Sequence, residues 1–284
     1  MNSKQNLSHD WFIHVNDEDK RLYVSREKPN PSGALSPCNM SPDDVDYEMS
    51  QGKNKKVLEI CGMEQKSFEY FVEKYGQTYE YLSFFKCQLI SDFSPLEKLK
   101  KLEGVKIYWN IRANTLWDMS QNPKLEYLNI KDTKKIAYNP VILQKAKYLK
   151  FIEFHGDIFS PYPMQSLEWM RGMSSLENVK LHLIKLEDRS TDILEAMPSL
   201  KRFDFPAGMF TTEEIAYMCA KYPYIEGNSM GAYNTEDAIL NDVRICGYRK
   251  PGLDLPKGQA RLDKYIKEFD ALVEKYKAEL KNNT

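Results

Sequence analysis

A short apolar motif that recurs about every two dozen residues constrains the fold of this 284-residue chain more than any other feature. In LEYLNIKDT, residues 125–133, the motif reads Leu-x-x-Leu-x-Ile, and offsets of three and five fit neither a plain strand nor a plain helix. Such spacing predicts a solenoid, in which each repeat stacks on the next. Seven copies, separated by 24, 23, 23, 24, 27 and 24 residues, have as their middle apolar residue Leu58, Leu82, Val105, Leu128, Ile152, Val179 and Phe203.

The motif fits the template Leu-x-x-Leu-x-Leu-x-x-Asn/Cys-x-Leu, and from about residue 52 to about 227 the sequence resembles the leucine-rich repeat family, as an irregular, bacterial-type cytoplasmic member. The resemblance implies an α/β solenoid with a parallel β-sheet on the concave face and short helices on the convex face. In the family the next slot is usually Asn, which bonds neighbouring turns. Only one copy has Asn at this slot, which predicts a weaker ladder of hydrogen bonds between neighbouring turns. In the six clearest copies, the slot holds Cys87, Asn110, Thr133, Asp157, Ile184 and Gly208.

The spacing within each copy also predicts local structure. The second and third apolar residues alternate, so they should point to the same face of a short strand that stacks in parallel on its neighbours. The remaining residues should return along the other side as short helices. PVILQKAKYL opens with Pro140, STDILEAMPSL offers Ser190 or Thr191 as an N-cap, and TTEEIAYMCAKYP has a threonine followed by glutamates.

Sequence character changes on both sides of the repeats and predicts three segments. Residues 1–50 combine a β-hairpin over 11–25 with a proline-rich extended arm, and residues 51–232 form the solenoid. Residues 233–284 form a cap, with a strand whose Val243 and Ile245 point inward and a C-terminal amphipathic helix. This helix should cover the open end of the core in a monomer, or alternatively pair two chains as a homodimer, through Leu262, Tyr265, Ile266, Phe269, Leu272, Val273 and Tyr276.

Composition argues against several classes of function. A formal net charge of −1 creates no overall electrostatic field that would attract nucleic acid or an anionic membrane. No stretch approaches the roughly 18 apolar residues of a membrane span, and the first residues lack a signal-peptide pattern. The five cysteines are dispersed without a C-x-x-C pair, which fits neither a disulfide framework nor a zinc site and predicts a cytoplasmic protein.

The sequence contains no nucleotide-binding loop, G-x-S-x-G elbow or H-E-x-x-H motif. We therefore predict a protein that is not an enzyme and needs no cofactor or metal. The alternative centres on His155 and His182, which occupy the same slot of consecutive repeats, with Glu153 and Asp157 beside the first. Such a pair is the basis for an alternative metal-binding or hydrolytic site.

Residues that flank the inward pair of each strand should project onto the open, concave face of the sheet. This face mixes aromatic and charged side chains, as the centres of protein interfaces do. We therefore predict non-catalytic protein–protein recognition of the adaptor or inhibitor/immunity type; alternatively, the chain's own N-terminus covers the aromatic residues. The predicted partner-binding residues are Tyr81, Phe85, Lys106, Tyr108, Trp109, Tyr127, Asn129, Lys131, Glu153, His155, Lys180, His182, Arg202 and Asp204.

Overall fold

The computed structural model describes residues 21–25, 27–29, 35–37, 40–51, 56–157, 160–236 and 240–282. The chain forms two units of α/β structure: unit 1 contains residues 1–153 and 169–176, and unit 2 contains residues 154–168 and 177–284. The boundary falls in the longest repeat interval, whereas the sequence predicted borders after residues 50 and 232. That interval has room for an additional strand, Tyr162–Met164, which pairs within unit 2 with Ile184–Leu186.

Unit 1 is built on parallel strands, one from each repeat. The register sets Leu58 opposite Leu82, Leu82 opposite Val105, and Val105 opposite Leu128, which confirms the predicted alignment of these copies. Its strands are β1 (Arg21–Ser25), β2 (Glu27–Pro29), β3 (Leu35–Pro37), β4 (Val57–Cys61), β5 (Tyr81–Phe85), β6 (Gly104–Tyr108), β7 (Tyr127–Lys131) and the first three residues of β8 (Phe151–His155). β1 pairs in parallel with β4, whereas β2 and β3 form an antiparallel pair. Next to β7, the Phe151 amide donates to the Glu126 carbonyl over 2.9 Å.

The inward strand residues form the core of unit 1. Leu58, Leu82, Val105 and Leu128 are fully buried. Phe84 meets Phe68 and Phe93 edge to face, with ring centroids 5.5 and 5.8 Å apart. These aromatic contacts tie the strand residue Phe84 to Phe68 of the preceding helix. The helices of unit 1 are α1 (Pro42–Gln51), α2 (Gln65–Lys74) and α3 (Lys134–Tyr138).

Most return segments are single turns of 3₁₀-helix, although the sequence predicted helices without this distinction. Leu96, Leu99 and Leu102 recur at a spacing of three, which equals the 3₁₀ period and not the α-helical period of 3.6. The amide of Leu99 donates to the Leu96 carbonyl, and that of Leu102 to the Leu99 carbonyl. The 3₁₀ turns are Gly76–Thr78, Ser94–Lys98, Met119–Gln121, Val141–Lys145, Glu168–Met170 and Asp192–Ala196.

Two buried asparagines bond the turns of unit 1 together. Asn110, in the predicted ladder slot, donates to the carbonyls of Cys87 and Ile90 over 2.8 Å each and accepts from the amides of Arg112 and Ala113. The second, Asn122, was not singled out from the sequence. Its side chain donates to the carbonyls of Leu96 and Leu99 and accepts from the indole nitrogen of Trp117. Both satisfy buried backbone groups that water cannot reach.

The proline-rich segment was predicted to be a linker or an extended arm through residue 50, and this is wrong for its last residues, because α1 begins at Pro42. Ser41 caps the helix: its hydroxyl accepts from the Asp44 amide, and its own amide donates to the Asp44 carboxylate. Val45 and Met49, one turn apart, are buried. The first strand of the predicted hairpin lies outside the described residues.

Unit 2 begins with Phe154 and His155 of β8. β10 (Asn178–His182) and β12 (Arg202–Asp204) pair in parallel with Val179 opposite Phe203, as the repeat predicts. A small antiparallel sheet is formed by β13 (Tyr233–Asn234), β14 (Val243–Ile245) and β15 (Gly252–Leu253). The elements of unit 2 are β9 (Tyr162–Met164), β10 (Asn178–His182), β11 (Ile184–Leu186), β12 (Arg202–Asp204), α4 (Thr212–Lys221), β13 (Tyr233–Asn234), β14 (Val243–Ile245), β15 (Gly252–Leu253) and α5 (Gln259–Asn282).

The strand and the helix predicted for the C-terminal cap are present, and Val243 and Ile245 point inward as predicted. They pack with Leu253 and Leu262 in one buried cluster. Along α5, Tyr276 meets Tyr217 of α4 edge to face at 5.6 Å. Part of the apolar stripe of α5 is therefore occupied within unit 2. Within the described part of the chain, no helix combines the length and the apolar character needed to cross a membrane.

Asp46 links α1 to α2 through a cluster of hydrogen bonds. Its carboxylate accepts from the Tyr70 and Tyr75 hydroxyls at 2.8 and 2.7 Å, and from the Lys74 ammonium at 2.9 Å. Hydrogen bonding from Lys74, followed by that from the two tyrosines, lowers the pKa of Asp46 from 3.8 to about 2. A lowered folded-state pKa means that the link stabilises the folded chain above the unfolded value and is lost as pH falls towards 2.

We expect Asp46→Asn to lower the melting temperature at pH 7, with the difference from the wild type shrinking between pH 4 and pH 2. Thermal melts followed by circular dichroism at pH 7, 4 and 2.5 measure this. Asp43→Asn is the matched control, because it removes the same charge from the exposed side of the same helix. A difference for Asp46→Asn that stays constant across this pH range would contradict the proposed link.

Candidate functional site

The outer face of unit 1 carries a row of aromatic and lysine side chains, which we call the aromatic–lysine row: Phe85, Lys86, Tyr108, Trp109 and Lys131. The strand register places Phe85 beside Tyr108 and Tyr108 beside Lys131. The Phe85 and Tyr108 ring centroids are 4.9 Å apart, and the Lys131 ammonium lies 4.8 Å from the centroid of Tyr108. Three of the predicted partner-binding residues are therefore joined by direct contacts.

Lys86 was not among the predicted site residues, yet it contacts two rings of this row. Its ammonium lies 5.0 Å from the ring centroid of Phe85 and 5.1 Å from that of Trp109. Cation–π contacts of this length hold a lysine over an aromatic ring without removing its charge. The sequence signal was available, because Lys86 follows its strand just as Trp109 follows the next one.

The residues that follow these strands adopt an unusual backbone conformation. Lys86, Trp109 and Asp132 have positive φ values of 51°, 61° and 49°. This left-handed region costs an L-residue about 1–2 kcal/mol and is rare for a side chain as bulky as Trp. The amide of Trp109 donates to the Lys131 carbonyl over 2.9 Å, which fixes the turn. Trp109 is nevertheless 41% exposed, so its ring is held in place at the surface.

A second aromatic group on this face packs mostly against itself. Tyr81 and Phe151 lie against Val57 and Tyr127, and Tyr127 is only 8% exposed. The Tyr81 hydroxyl donates to the Glu103 carboxylate, and burial, followed by this bond, raises the pKa of Tyr81. These contacts leave Tyr127 little surface to offer a partner, in contrast to the sequence prediction.

The central polar column of unit 1 is also less accessible than predicted. Asn129 is 6% exposed and donates to the Glu153 carboxylate over 2.8 Å. Its carbonyl oxygen accepts no hydrogen bond within the described residues. Lys106 is paired with Asn129 in the register and is half-buried. Of these three predicted residues, Lys106 and Glu153 retain partly exposed side chains.

In unit 2, the structure brings His155 and His182 together as the repeat predicted. Their ring centroids are 4.2 Å apart at an interplanar angle of 32°, and Nδ1 of His155 lies 2.7 Å from the Gly156 carbonyl oxygen. Among the described residues, no three or more His, Cys, Asp or Glu side chains are arranged so that they could hold a metal ion. The pair alone supplies two ligands, whereas protein zinc sites use three or four.

Arg202 and Asp204 are engaged in structural contacts within unit 2. Nε of Arg202 donates to Asp204 over 2.7 Å, and this bond raises the pKa of Arg202. The buried Asp204 carboxylate also accepts from the Asn228 amide over 2.8 Å. Asp204 therefore anchors the chain after β12, and its burial differs from the predicted surface position. The partly exposed Lys180 lies beside it in the register.

Two of the cysteines in the described part of the chain have a raised thiol pKa. Cys61, Cys87, Cys219 and Cys246 are free thiols. Burial raises the pKa of Cys87 to about 12 and that of Cys219 to about 11. Because the thiolate is the reactive form, these two residues are poor nucleophiles at neutral pH. They fill space in the fold, as small apolar residues do.

Together, these contacts make the aromatic–lysine row a partly exposed group of aromatic and cationic side chains that are joined by direct contacts. Its rings can bury apolar area against a partner, and its lysines can pair with carboxylates. Comparison with known proteins adds no relative: no protein-family model matches the chain, and no curated protein sequence matches it.

Proposed function

We propose that this chain is a leucine-rich repeat solenoid that recognises another protein through the open, concave face of its parallel sheet. The repeat period, the rung-by-rung register from Leu58 to Leu128 and the bridging Asn110 support the architectural part of this proposal. Binding is the usual function of the extended surfaces that repeat arrays present.

The observation that carries the functional part is the aromatic–lysine row. Rings that are fixed by backbone turns and by neighbouring side chains lose little conformational entropy when they bind. Aromatic residues of this kind dominate the energetics of protein interfaces. Lys86 and Lys131 rest on rings and keep their charges, so a partner surface with apolar groups beside carboxylates fits the row best. An adaptor or an inhibitor would use such a surface.

The test compares two triple variants that remove the same kinds of side chain. Tyr108→Ala, Trp109→Ala, Lys131→Ala disrupts the row. Tyr138→Ala, Lys147→Ala, Tyr148→Ala removes two tyrosines and one lysine that are exposed elsewhere in unit 1. Both proteins should keep the wild-type circular dichroism spectrum, because the substituted side chains lie outside the core.

We expect the wild type and the second triple variant to capture the same protein from a lysate, and the row variant to lose it. With the purified partner, the dissociation constant of the row variant should rise about 100-fold or more, the change expected when interface hot spots are removed. Calorimetric titration measures this change. Equal affinity of the row variant and the wild type for that partner would overturn the assignment to the row.

A further inference from the structure

Unit 2 contains a cavity of about 630 Å³ that none of the residues of the aromatic–lysine row lines. Its volume lies within the range of roughly 300–1,000 Å³ typical of small-molecule sites. The buried side chains of Ile184, Leu186, Ala207 and Met209 give it an apolar lining. This lining can accommodate the apolar body of a ligand.

Two positions show that the cavity is built into the fold. A Cβ atom added at Gly208, which lines the cavity, would meet no atom within 4 Å, so there is open space at this point. Leu183, also a lining residue, has a positive φ of 53°, which is rare for a bulky side chain. Leu183 follows its strand as Lys86, Trp109 and Asp132 follow theirs, so this left-handed turn is a regular feature of the repeat, and it fixes one wall of the cavity.

The charges of the lining residues favour an anion at the rim. Arg244 forms no ion pair or side-chain hydrogen bond with any residue that the structure describes. The Arg189 guanidinium lies 5.5 Å from the ring centroid of Tyr248, also at the rim, where it keeps its charge and its hydrogen-bond donors. The lining carries three cationic side chains against two acidic ones: Lys185, Arg189 and Arg244, and Glu187 and Glu236. Glu236 lies 4.0 Å from Arg202, which reduces its effect on the cavity.

We propose that this cavity binds a small amphipathic carboxylate, with its apolar body against Ile184, Leu186 and Met209 and its carboxylate between Arg244 and Arg189. An arginine guanidinium presents a planar fork of donors that matches the two oxygens of a carboxylate. A neutral molecule of the same length would fill the lining but leave the arginines unpaired. This site is independent of the proposed recognition of a protein by unit 1.

The probe is octanoate, and the matched neutral ligand is octan-1-ol. Calorimetric titration of the full chain should show saturable one-to-one binding of octanoate, at least about tenfold tighter than that of octanol. Methyl-¹³C-methionine labelling locates the ligand, because the Met209 signal, assigned with Met209→Leu, should shift during the titration. Methionines that do not line the cavity should keep their chemical shifts.

The variants test the role of the arginines. Arg189→Gln, Arg244→Gln should weaken octanoate binding about tenfold to 100-fold and leave octanol binding within about twofold, because charge-assisted hydrogen bonds are removed and the lining is kept. Arg249→Gln is the control: Arg249 lies 5.1 Å from the same Tyr248 ring but does not line the cavity. We expect it to bind octanoate as the wild type does.

Three results would each overturn this inference. They are the absence of saturable octanoate binding, equal affinity for octanoate and octanol, and unchanged octanoate affinity in the double arginine variant. Since Arg244 is exposed and Arg189 partly exposed, the double variant should melt at the wild-type temperature, so lost binding would reflect the site and not the fold.

Discussion

Replacing Asn110 with alanine should lower the free energy of unfolding by about 3–4 kcal/mol, because four hydrogen bonds in a buried environment lose their side-chain partner. Asn110 is 3% exposed, and its amide group joins the carbonyls of Cys87 and Ile90 to the amides of Arg112 and Ala113. Alanine can satisfy none of these groups, and a water molecule would have to enter the core to do so. Chemical denaturation followed by circular dichroism measures the loss.

The matched control is Asn129→Ala. Asn129 has the same side chain and is 6% exposed, but it makes one hydrogen bond, to Glu153, and its carbonyl oxygen has no partner in the described residues. Its replacement should cost about 1 kcal/mol or less. If the two variants lost equal stability, the special role of Asn110 in joining consecutive turns would be wrong.

Replacing Gly156 with alanine should destabilise the protein by about 3 kcal/mol, the upper range for overpacking a rigid site. A Cβ atom at this position would lie 2.2 Å from the Leu183 carbonyl oxygen and 3.1 Å from the Tyr162 nitrogen. Both are backbone atoms, and they are already bonded to each other over 3.0 Å. They cannot rotate away, so the strand end itself would have to shift.

Gly208→Ala provides the comparison for this prediction. Its new methyl group would meet no atom within 4 Å. The free energy of unfolding of this variant should therefore lie within about 0.5 kcal/mol of the wild-type value, or slightly above it. Melting temperatures of the two variants, measured under the same conditions, show whether Gly156→Ala is the less stable protein. A Gly156→Ala protein as stable as Gly208→Ala would show that the close approach of Gly156 to Leu183 is absent.

The strand register could be predicted from the sequence because a large apolar residue recurs at the same position of each strand. A slip by a single residue would turn Leu82 or Val105 from the core to solvent, so the apolar pattern allows one alignment. The capped helices α2 and α4 could also be predicted. In α4, Thr211 and Glu214 form a capping box, in which each side chain bonds the other's amide.

The sequence contains a signal for the 3₁₀ conformation of the return segments, although a search for α-helical periodicity does not detect it. The α-helical period of 3.6 does not fit these segments, whereas Leu96, Leu99 and Leu102 follow a spacing of three. Helix α1 is difficult to predict because its proline and serine are common turn residues. The same residues, Ser41 and Pro42, also occupy the first positions of helices.

Accessibility at the candidate site depends on contacts that a repeat pattern does not contain. The pattern placed Tyr108, Tyr127 and Lys131 on one face, but it could not show that Tyr127 packs under Tyr81 and Phe151. It also gave no indication that Trp109 has a left-handed backbone conformation. Conformation and neighbour packing decide which residues of a face are available to a partner.

The claim on which the other conclusions depend is that consecutive repeats stack their strands in register. Nuclear Overhauser effects between the methyl groups of Leu82, Val105 and Leu128 test it most directly, in protein labelled at these methyl groups. We predict strong Leu82–Val105 and Val105–Leu128 cross-peaks, because adjacent strands lie about 4.8 Å apart, and a much weaker Leu82–Leu128 cross-peak across two spacings. Assigned spectra that lack both strong cross-peaks would contradict the stacked arrangement and the binding surface that rests on it.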